Sequence, residues 1–319
     1  MTALHPNERQ RREFKLQREL GPDLVALMRD PEVREVMVNP DGRVFVDHAR
    51  TGLGKTSITV ESIHMKAALG TLAALLDTVI TQDQPVLQAE LDLFGGRIEG
   101  MRAPVVSAPS LTFRKKATQI YSLGEYVDSG RLTAARKRLL QTAVAEKKNI
   151  LVVGGTGSGK TTFINALLRE LGRQEPGSRI VLIEDTRELQ CGLENTVELR
   201  AVPGVATMEA LLRTTLRLRP DRIVVGEVRG PEALTLLTSW NTGHPGGFAS
   251  LHANDAPSAL RRMELLVQEG CGHRLPELIA EVVDVIVHLE RGARVDGILH
   301  VLGHGEGTYE TVWLEERCI

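Results

Sequence analysis

NILVVGGTGSGKTTFINALLREL, residues 149–171, decides how the rest of the chain is read. Asn149 to Val153 is an apolar run of strand length. Gly154-Gly155-Thr156-Gly157-Ser158-Gly159-Lys160-Thr161 then fits the P-loop pattern G-x-x-x-x-G-K-[ST], and the helical run Thr162 to Leu171 follows it. Glycines at this spacing let successive backbone N–H groups turn inward around a β-phosphate, and the helix N-terminus adds its positive end. Lys160 would reach the β- and γ-phosphates, and the Thr161 hydroxyl would ligate Mg2+. A second GKT, in Gly52-Leu53-Gly54-Lys55-Thr56, is a decoy. Alanine at position 49 stands where the first glycine belongs and no helical run follows, so this stretch reads as a surface loop.

Outward from the P-loop, short apolar strands alternate with helical stretches. The helix Arg131 to Glu146 leads in, and Ile180 to Ile183, Arg222 to Val225 and Phe248 to Leu251 read as buried strands. That rhythm predicts a largely parallel α/β sheet. Near the C-terminus, Val283 to Leu289 and Ile298 to Val301 flank Arg291-Gly292, the pattern of a closing hairpin. Two strands end in acids. Arg222 to Gly226 delivers Glu227 to the carboxyl edge of the sheet, where it would act as general base or orient water. The competing reading is an acid that caps the next helix. Glu184-Asp185 ends the strand from Arg179 and reaches the same edge, where paired carboxylates suit the waters of Mg2+; an N-cap is the rival there.

The first third reads as a small mixed α/β domain. Gly21 to Arg29 is helical in pattern, Val33 to Val46 is a hairpin around Asn39-Pro40-Asp41-Gly42, and Met65 to Val79 has helix composition. Leu91 to Lys115 carries extended segments, and Tyr121 to Gly130 looks like a connector. The expected organisation is an N-terminal domain over 1–115, a linker over 116–130 and a P-loop α/β domain over 131–319. The full length of 319 residues supports two domains.

Lys plus Arg number 39 against 41 Asp plus Glu, a net charge of −2, which gives no global attraction to nucleic acid or to a membrane surface. Aromatics are 3% of the chain, too few to furnish stacking platforms for single-stranded bases. Cys191, Cys271 and Cys318 are odd in number and far apart, which fits a reducing compartment. No apolar run reaches the ~18 residues of a membrane span, and Met1 to Leu20 has no apolar signal core. A cytoplasmic location follows, peripheral to a membrane at most. Glu8 to Glu19, rich in arginine, reads as a solvated helix rather than a lipid-binding one.

The block LRLRPDRIVVGEVRGPE (216–232), followed by Asn241-Thr242-Gly243-His244 and Ser250-Leu251-His252-Ala253-Asn254, resembles the secretion-ATPase superfamily that powers type IV secretion, type II secretion and type IV pili. Within it the chain is most similar to the TrbB-like conjugal-transfer ATPases. The resemblance covers nearly the whole chain, including Val33 to Asp47 and Ser110 to Lys115.

It implies ATP hydrolysis with Mg2+ by a homo-hexameric ring, each subunit having an N-terminal domain linked to a RecA-like P-loop domain. Gly155, Thr156, Gly157, Ser158, Gly159, Lys160 and Thr161 match the Walker A loop and Thr162 extends it. Glu184 and Asp185 match the family's Asp box, Glu227 its Walker B acid, and His244 and His252 its His box. Arg97 and Arg114 match N-domain arginines that approach the phosphates, and Arg229 is a further candidate for that role. Tyr126, in the connector, is expected against the adenine. The metal would draw on Thr161, Glu184, Asp185 and Glu227.

The sequence departs from the family pattern at Met101-Arg102, where an apolar-proline pair is common, leaving Arg102 without a role. A four-cysteine zinc insert is absent, which points away from type II secretion. Expected partners are other type IV secretion components at the inner membrane, with no direct nucleic-acid contact. A pilus assembly or retraction ATPase of the same superfamily is the near alternative, and a P-loop nucleic-acid motor a more distant one.

Overall fold

The strand-helix alternation after residue 131 becomes one eight-stranded sheet with helices on both faces. The computed structural model describes residues 6–116, 120–202 and 204–314. These divide into two compact units, Met1–Thr118 and Gln119–Ile319.

The first unit contains α1 (Pro6–Leu20), α2 (Pro22–Arg29), β1 (Val33–Val38), β2 (Arg43–His48), β3 (Gly52–Thr59), α3 (Ser62–Leu75), β4 (Val86–Leu91), β5 (Gly96–Met101) and β6 (Ser110–Lys115). Its sheet is antiparallel, in the order β3-β2-β1-β6-β5-β4. Alternation along the strands sends Val36, Val38, Ile98 and Phe113 inward against Leu24, Met28, Met65 and Leu72 of the helices. The opposite face carries Glu35, Arg114, Arg97 and Glu90 side by side on four adjacent strands.

Two expectations change in this unit. Gly52-Leu53-Gly54-Lys55-Thr56 is no loop but most of edge strand β3, with Phe45 opposite Lys55. The stretch Glu8 to Glu19 lies in α1, which is not solvated all round, because Leu16 and Leu20 are buried in the core.

The second unit contains α4 (Leu123–Asp128), α5 (Ala134–Ala145), β7 (Ile150–Gly154), α6 (Lys160–Gln174), β8 (Ile180–Glu184), β9 (Thr196–Arg200), α7 (Met208–Thr215), β10 (Arg222–Val228), α8 (Glu232–Asn241), β11 (Phe248–His252), α9 (Ala256–Cys271), α10 (Pro276–Val282), β12 (Val285–Glu290), β13 (Arg294–Gly305) and β14 (Thr308–Trp313). The sheet order is β14-β13-β12-β7-β11-β10-β8-β9, parallel from β12 to β9, with β13 and β14 antiparallel at one edge. This is a RecA-like α/β core. Leu151 and Val153 of β7 face α8 and α9, while Ile150 and Val152 pack with Phe163, Ile164 and Leu167 of α6. Both faces are therefore dry, as a parallel sheet requires.

The segment expected as linker is in part ordered helix. Residues 117–119 lie outside the described residues, but α4 is closed by a capping box between Ser122 and Glu125, and buries Leu123 and Tyr126 in the second unit's core. No helix among the described residues is long and apolar enough to cross a membrane.

Candidate functional site

The parallel strands bring the predicted residues to one edge. β7 runs out at Gly154, β8 at Glu184 and β11 at His252, and β10 carries Glu227 one residue before its end. His252 pairs in register with Gly154, so the imidazole starts beside the P-loop.

Close packing explains the glycines. A Cβ on Gly154 would lie 2.5 Å from the Leu289 carbonyl oxygen, and one on Gly159, whose φ is +89°, would lie 2.7 Å from Ala293 Cβ. The β12–β13 hairpin thus backs the loop. Gly155, Thr156 and Gly157 form its exposed crest, while Ser158 and Lys160 are buried. No side chain among the described residues caps α6, so the N–H groups of its first turn, at Lys160, Thr161 and Thr162, are presented to an anion. Lys160 Nζ donates to the carbonyls of Gly154 and Gly155 at 3.1 and 3.2 Å, which sets its ammonium within the loop. A cleft of about 640 Å3 adjoins the loop, lined by Gly155, Thr156, Ser158, Asn254 and His288 among others. That volume is in the range of small-molecule sites.

A β-bulge aims Glu227. The register of β10 against β11 shifts between Val225 and Val228, and Ser250 Oγ donates to the Gly226 carbonyl at 2.6 Å. Bulges beside functional sites re-aim side chains in this way. The backbone at Gly226 packs closely on Glu184, since a Cβ there would sit 3.0 Å from Glu184 Cγ. Arg229 Nε donates to Glu227 Oε2 at 2.9 Å, and Nη2 bonds the same oxygen. Arg229 Nη1 donates to Asp185 Oδ2 at 2.6 Å. Glu227 Oε1 is buried with no hydrogen-bond partner among the described residues. His252 Nε2 lies 3.8 Å from that oxygen and 3.5 Å from Thr156 Oγ1. Partial burial, then the Lys160 charge, lower the His252 pKa below its ordinary 6.5, so the ring is neutral at neutral pH.

Glu184 behaves differently. Its Oε1 accepts the backbone N–H groups of Glu188 and Leu189 at 3.0 and 2.8 Å, tying down the loop after β8. Burial raises its pKa from 4.5 to about 7, against the lowering effect of those two bonds. The folded state therefore binds the proton more tightly than the unfolded one. The resulting loss of stability is absent below about pH 4.5, grows with pH, and is complete above about pH 7. Glutamine keeps the accepting oxygen and cannot ionise. Glu184→Gln is expected to gain up to about 3 kcal/mol over wild type at pH 8 and little at pH 4.5, read by urea unfolding without nucleotide.

Several candidates stand apart. His244 is in the loop before β11, at the opposite edge of the sheet, where its Nδ1 lies 2.9 Å from the Pro220 carbonyl oxygen. The expectation that it joins His252 at the phosphates is corrected within this unit: His244 precedes the amino end of β11, and His252 stands at the carboxyl end of the same strand, beside Gly154. Tyr126 is also corrected. It is 1% exposed, edge-on to Phe163 at 5.2 Å and to Tyr121 at 6.0 Å, and offers no face to a base. Arg97 and Arg114 belong to the first unit, where Arg114 Nε lies 3.3 Å from Glu35 Oε1. Arg102 has a local task, donating to the Ile80 carbonyl at 3.2 Å.

Sequence reasoning did not find His288. It lines the cleft, and its Nδ1 sits 3.0 Å from Asp296 Oδ2 on the neighbouring strand. Only the β12–β13 register reveals that pairing.

A family model described as type II/IV secretion system protein matches residues 96–296. The chain is 44% identical over 299 residues to the probable conjugal transfer protein TrbB of Sinorhizobium fredii, covering 93% of this chain and 91% of that one. It is 41% identical over 314 residues to the conjugal transfer protein TrbB of Rhizobium radiobacter, covering 98% and 96%. In fold it is similar to the X-ray structure of the Legionella pneumophila ATPase DotB, with a TM-score of 0.60 at 16% identity over 98% of this chain and 81% of that one. The P-loop, the acids at the strand ends and these matches agree: the chain belongs to the type II/IV secretion system family of P-loop ATPases, among its TrbB-like conjugal-transfer members.

Proposed function

We propose that the protein hydrolyses ATP as a homo-hexamer on the cytoplasmic side of the inner membrane, and that it energises a type IV secretion apparatus engaged in conjugal DNA transfer. The observation that carries the hydrolytic part is Glu227 Oε1, a buried carboxylate oxygen without a partner, beside His252 and the P-loop. A buried acceptor left open costs stability, which makes sense where a water or hydrated ion is to be received.

The P-loop backbone and Lys160 hold the β- and γ-phosphates, Glu227 Oε1 orients the attacking water, and neutral His252 donates to a phosphate oxygen from the Thr156 side. Phosphoryl transfer passes through a loose transition state that asks for position and charge rather than a strong base. No three His, Cys, Asp or Glu side chains among the described residues converge to chelate a metal. A Mg2+ would be held by the Thr161 hydroxyl, with the carboxylates of Asp185 and Glu227 at the same edge to accept from its waters. When bound, it neutralises charge on the β- and γ-phosphates. Glu184 supports this edge from the loop side. Arg97 and Arg114 are the arginines supplied to the phosphates; the half-exposed pair of Arg114 with Glu35 is worth only about 0–1 kcal/mol and is easily given up.

The conjugal part rests on the two TrbB relatives, and on it rest the partners, other type IV secretion components. Donor cells carrying Lys160→Ala are expected to lose DNA transfer while making normal amounts of the protein. Transfer at the wild-type frequency would overturn the conjugal assignment.

A further inference from the structure

Arg229 has a side chain 59% exposed to solvent, yet its guanidinium is held from two directions. Nε and Nη2 both engage Oε2 of Glu227, and Nη1 engages Oδ2 of Asp185. Its backbone is held as well, since Glu232 Oε1 accepts the N–H of Arg229 at 2.7 Å and that of Gly230 at 2.9 Å. The sequence Glu227-Val228-Arg229-Gly230-Pro231-Glu232 is thus a self-bracing turn. Its first acid is held by the arginine, and its last acid holds the arginine's backbone.

The fork is turned toward the two acids, which is not the geometry of an arginine aimed at a γ-phosphate. A carboxylate on an unbraced side chain rotates about its terminal bond and presents either oxygen. A guanidinium engaged on one oxygen stops that rotation. What remains is Oε1, buried, unpartnered and 3.8 Å from His252 Nε2.

We infer that Arg229 is a positioning residue that locks the Glu227 carboxylate with Oε2 engaged and Oε1 presented to the attacking water, using Asp185 as its second anchor. The inference rests on the reading of this edge as an ATP-hydrolysing site. Lysine does not substitute, because one ammonium on a flexible stem cannot span both acids in a fixed plane.

The test compares kcat and KM for ATP in wild type, Arg229→Gln, Glu227→Gln and the double variant, with affinity for a fluorescent ADP analogue measured on each. A displaced catalytic group costs on the order of 100-fold, so Arg229→Gln is expected to lower kcat about 10- to 100-fold. Analogue affinity is expected to stay within about twofold, as befits a residue that acts only in the chemical step. In the Glu227→Gln background the same change is expected to cost less than about twofold, because the group it positions is already disabled.

Undiminished kcat in Arg229→Gln overturns the inference. So does an equal loss in both backgrounds, which marks an independent role, or a loss of analogue affinity in step with kcat, which marks a phosphate contact. Should Arg229→Gln melt more than about 5 °C below wild type, Arg229→Lys is read by the same criteria, keeping the charge but not the fork. Absence of turnover in wild type overturns the hydrolytic reading and this inference with it. Turnover in wild type with an unaffected Arg229→Gln overturns this inference alone.

Discussion

Glu227→Gln is expected to lower kcat for ATP by about 10²- to 10⁴-fold, the span measured for removing a general base or its equivalent. The argument is geometric. Glutamine preserves the volume of the side chain and one accepting oxygen, so the bulge at 225–228 and the Ser250 bond to the Gly226 carbonyl are undisturbed. The amide is uncharged and carries two donors where the carboxylate has none. Its bond with Arg229 then loses the charge assistance, and the buried atom beside His252 either stops accepting or stops orienting water. ATP affinity is expected to hold, because the P-loop backbone and Lys160 are unchanged. Lys160→Ala provides the contrast. It removes a buried ammonium within the loop, and is expected to lower nucleotide affinity and turnover together. Phosphate release with equilibrium nucleotide binding separates the two variants. Equal affinity losses in both would show that Glu227 contacts the nucleotide directly and would displace it from the water-orienting role.

The parallel sheet and its functional edge were legible because each rests on a local rule. An apolar run before a glycine-rich turn gives β7 and the P-loop, and an acid closing an apolar run puts Glu184 and Glu227 at strand ends. What escaped was set by the path of loops and by strand pairing. The role of Glu184 as acceptor for two loop N–H groups depends on the path of residues 185–189, which no spacing rule encodes. β9 (residues 196–200) has a weak apolar pattern and exists through its pairing with β8. The exposed edge strand β3 was read as a loop because no helical run follows its GKT, and a strand made by pairing with β2 leaves no such local sign.

Tyr126 and His244 fail for a related reason. The family resemblance implied nearness to the nucleotide. Helix α4 instead turns the tyrosine into the core, and the polarity of β11 puts the histidine at the wrong end. Arg229 was read as a further arginine for the phosphates; its guanidinium engages Glu227 on β10 and Asp185 just past the end of β8, a pairing that depends on the fold.

Arg222→Ala is expected to cost about 3–5 kcal/mol of stability, the range for breaking a buried ion pair from one side. Arg222 opens β10 and is 0% exposed, although arginine is almost never fully buried unless paired. Nη2 donates to the Val144 carbonyl at 2.8 Å and to Glu175 Oε1 at 2.6 Å, and Nη1 donates to the Gly246 carbonyl at 3.1 Å. One side chain thus joins the end of α5, the C-cap of α6 and the loop leading into β11. Alanine leaves two carbonyls and a carboxylate without their donor and opens a cavity that backbone encloses. A Cβ on Gly246 would come 2.3 Å from Nη1, so the glycine is there to admit the guanidinium. In a domain of this size, 3–5 kcal/mol corresponds to a fall in Tm of about 6–20 °C. Arg222→Met, which keeps the stem, separates packing from polarity. If it recovers most of the loss, burial of the stem dominates; if it remains as unstable as alanine, the three unpaired acceptors do. Arg222 anchors the foot of the strand whose far end carries Glu227, about 17 Å away at 3.3 Å per residue, too far for direct contact with the chemistry. Calorimetry and phosphate release on the same sample are therefore expected to part company: Arg222→Ala melts early yet keeps its turnover well below the new Tm, whereas Glu227→Gln melts normally and does not turn over.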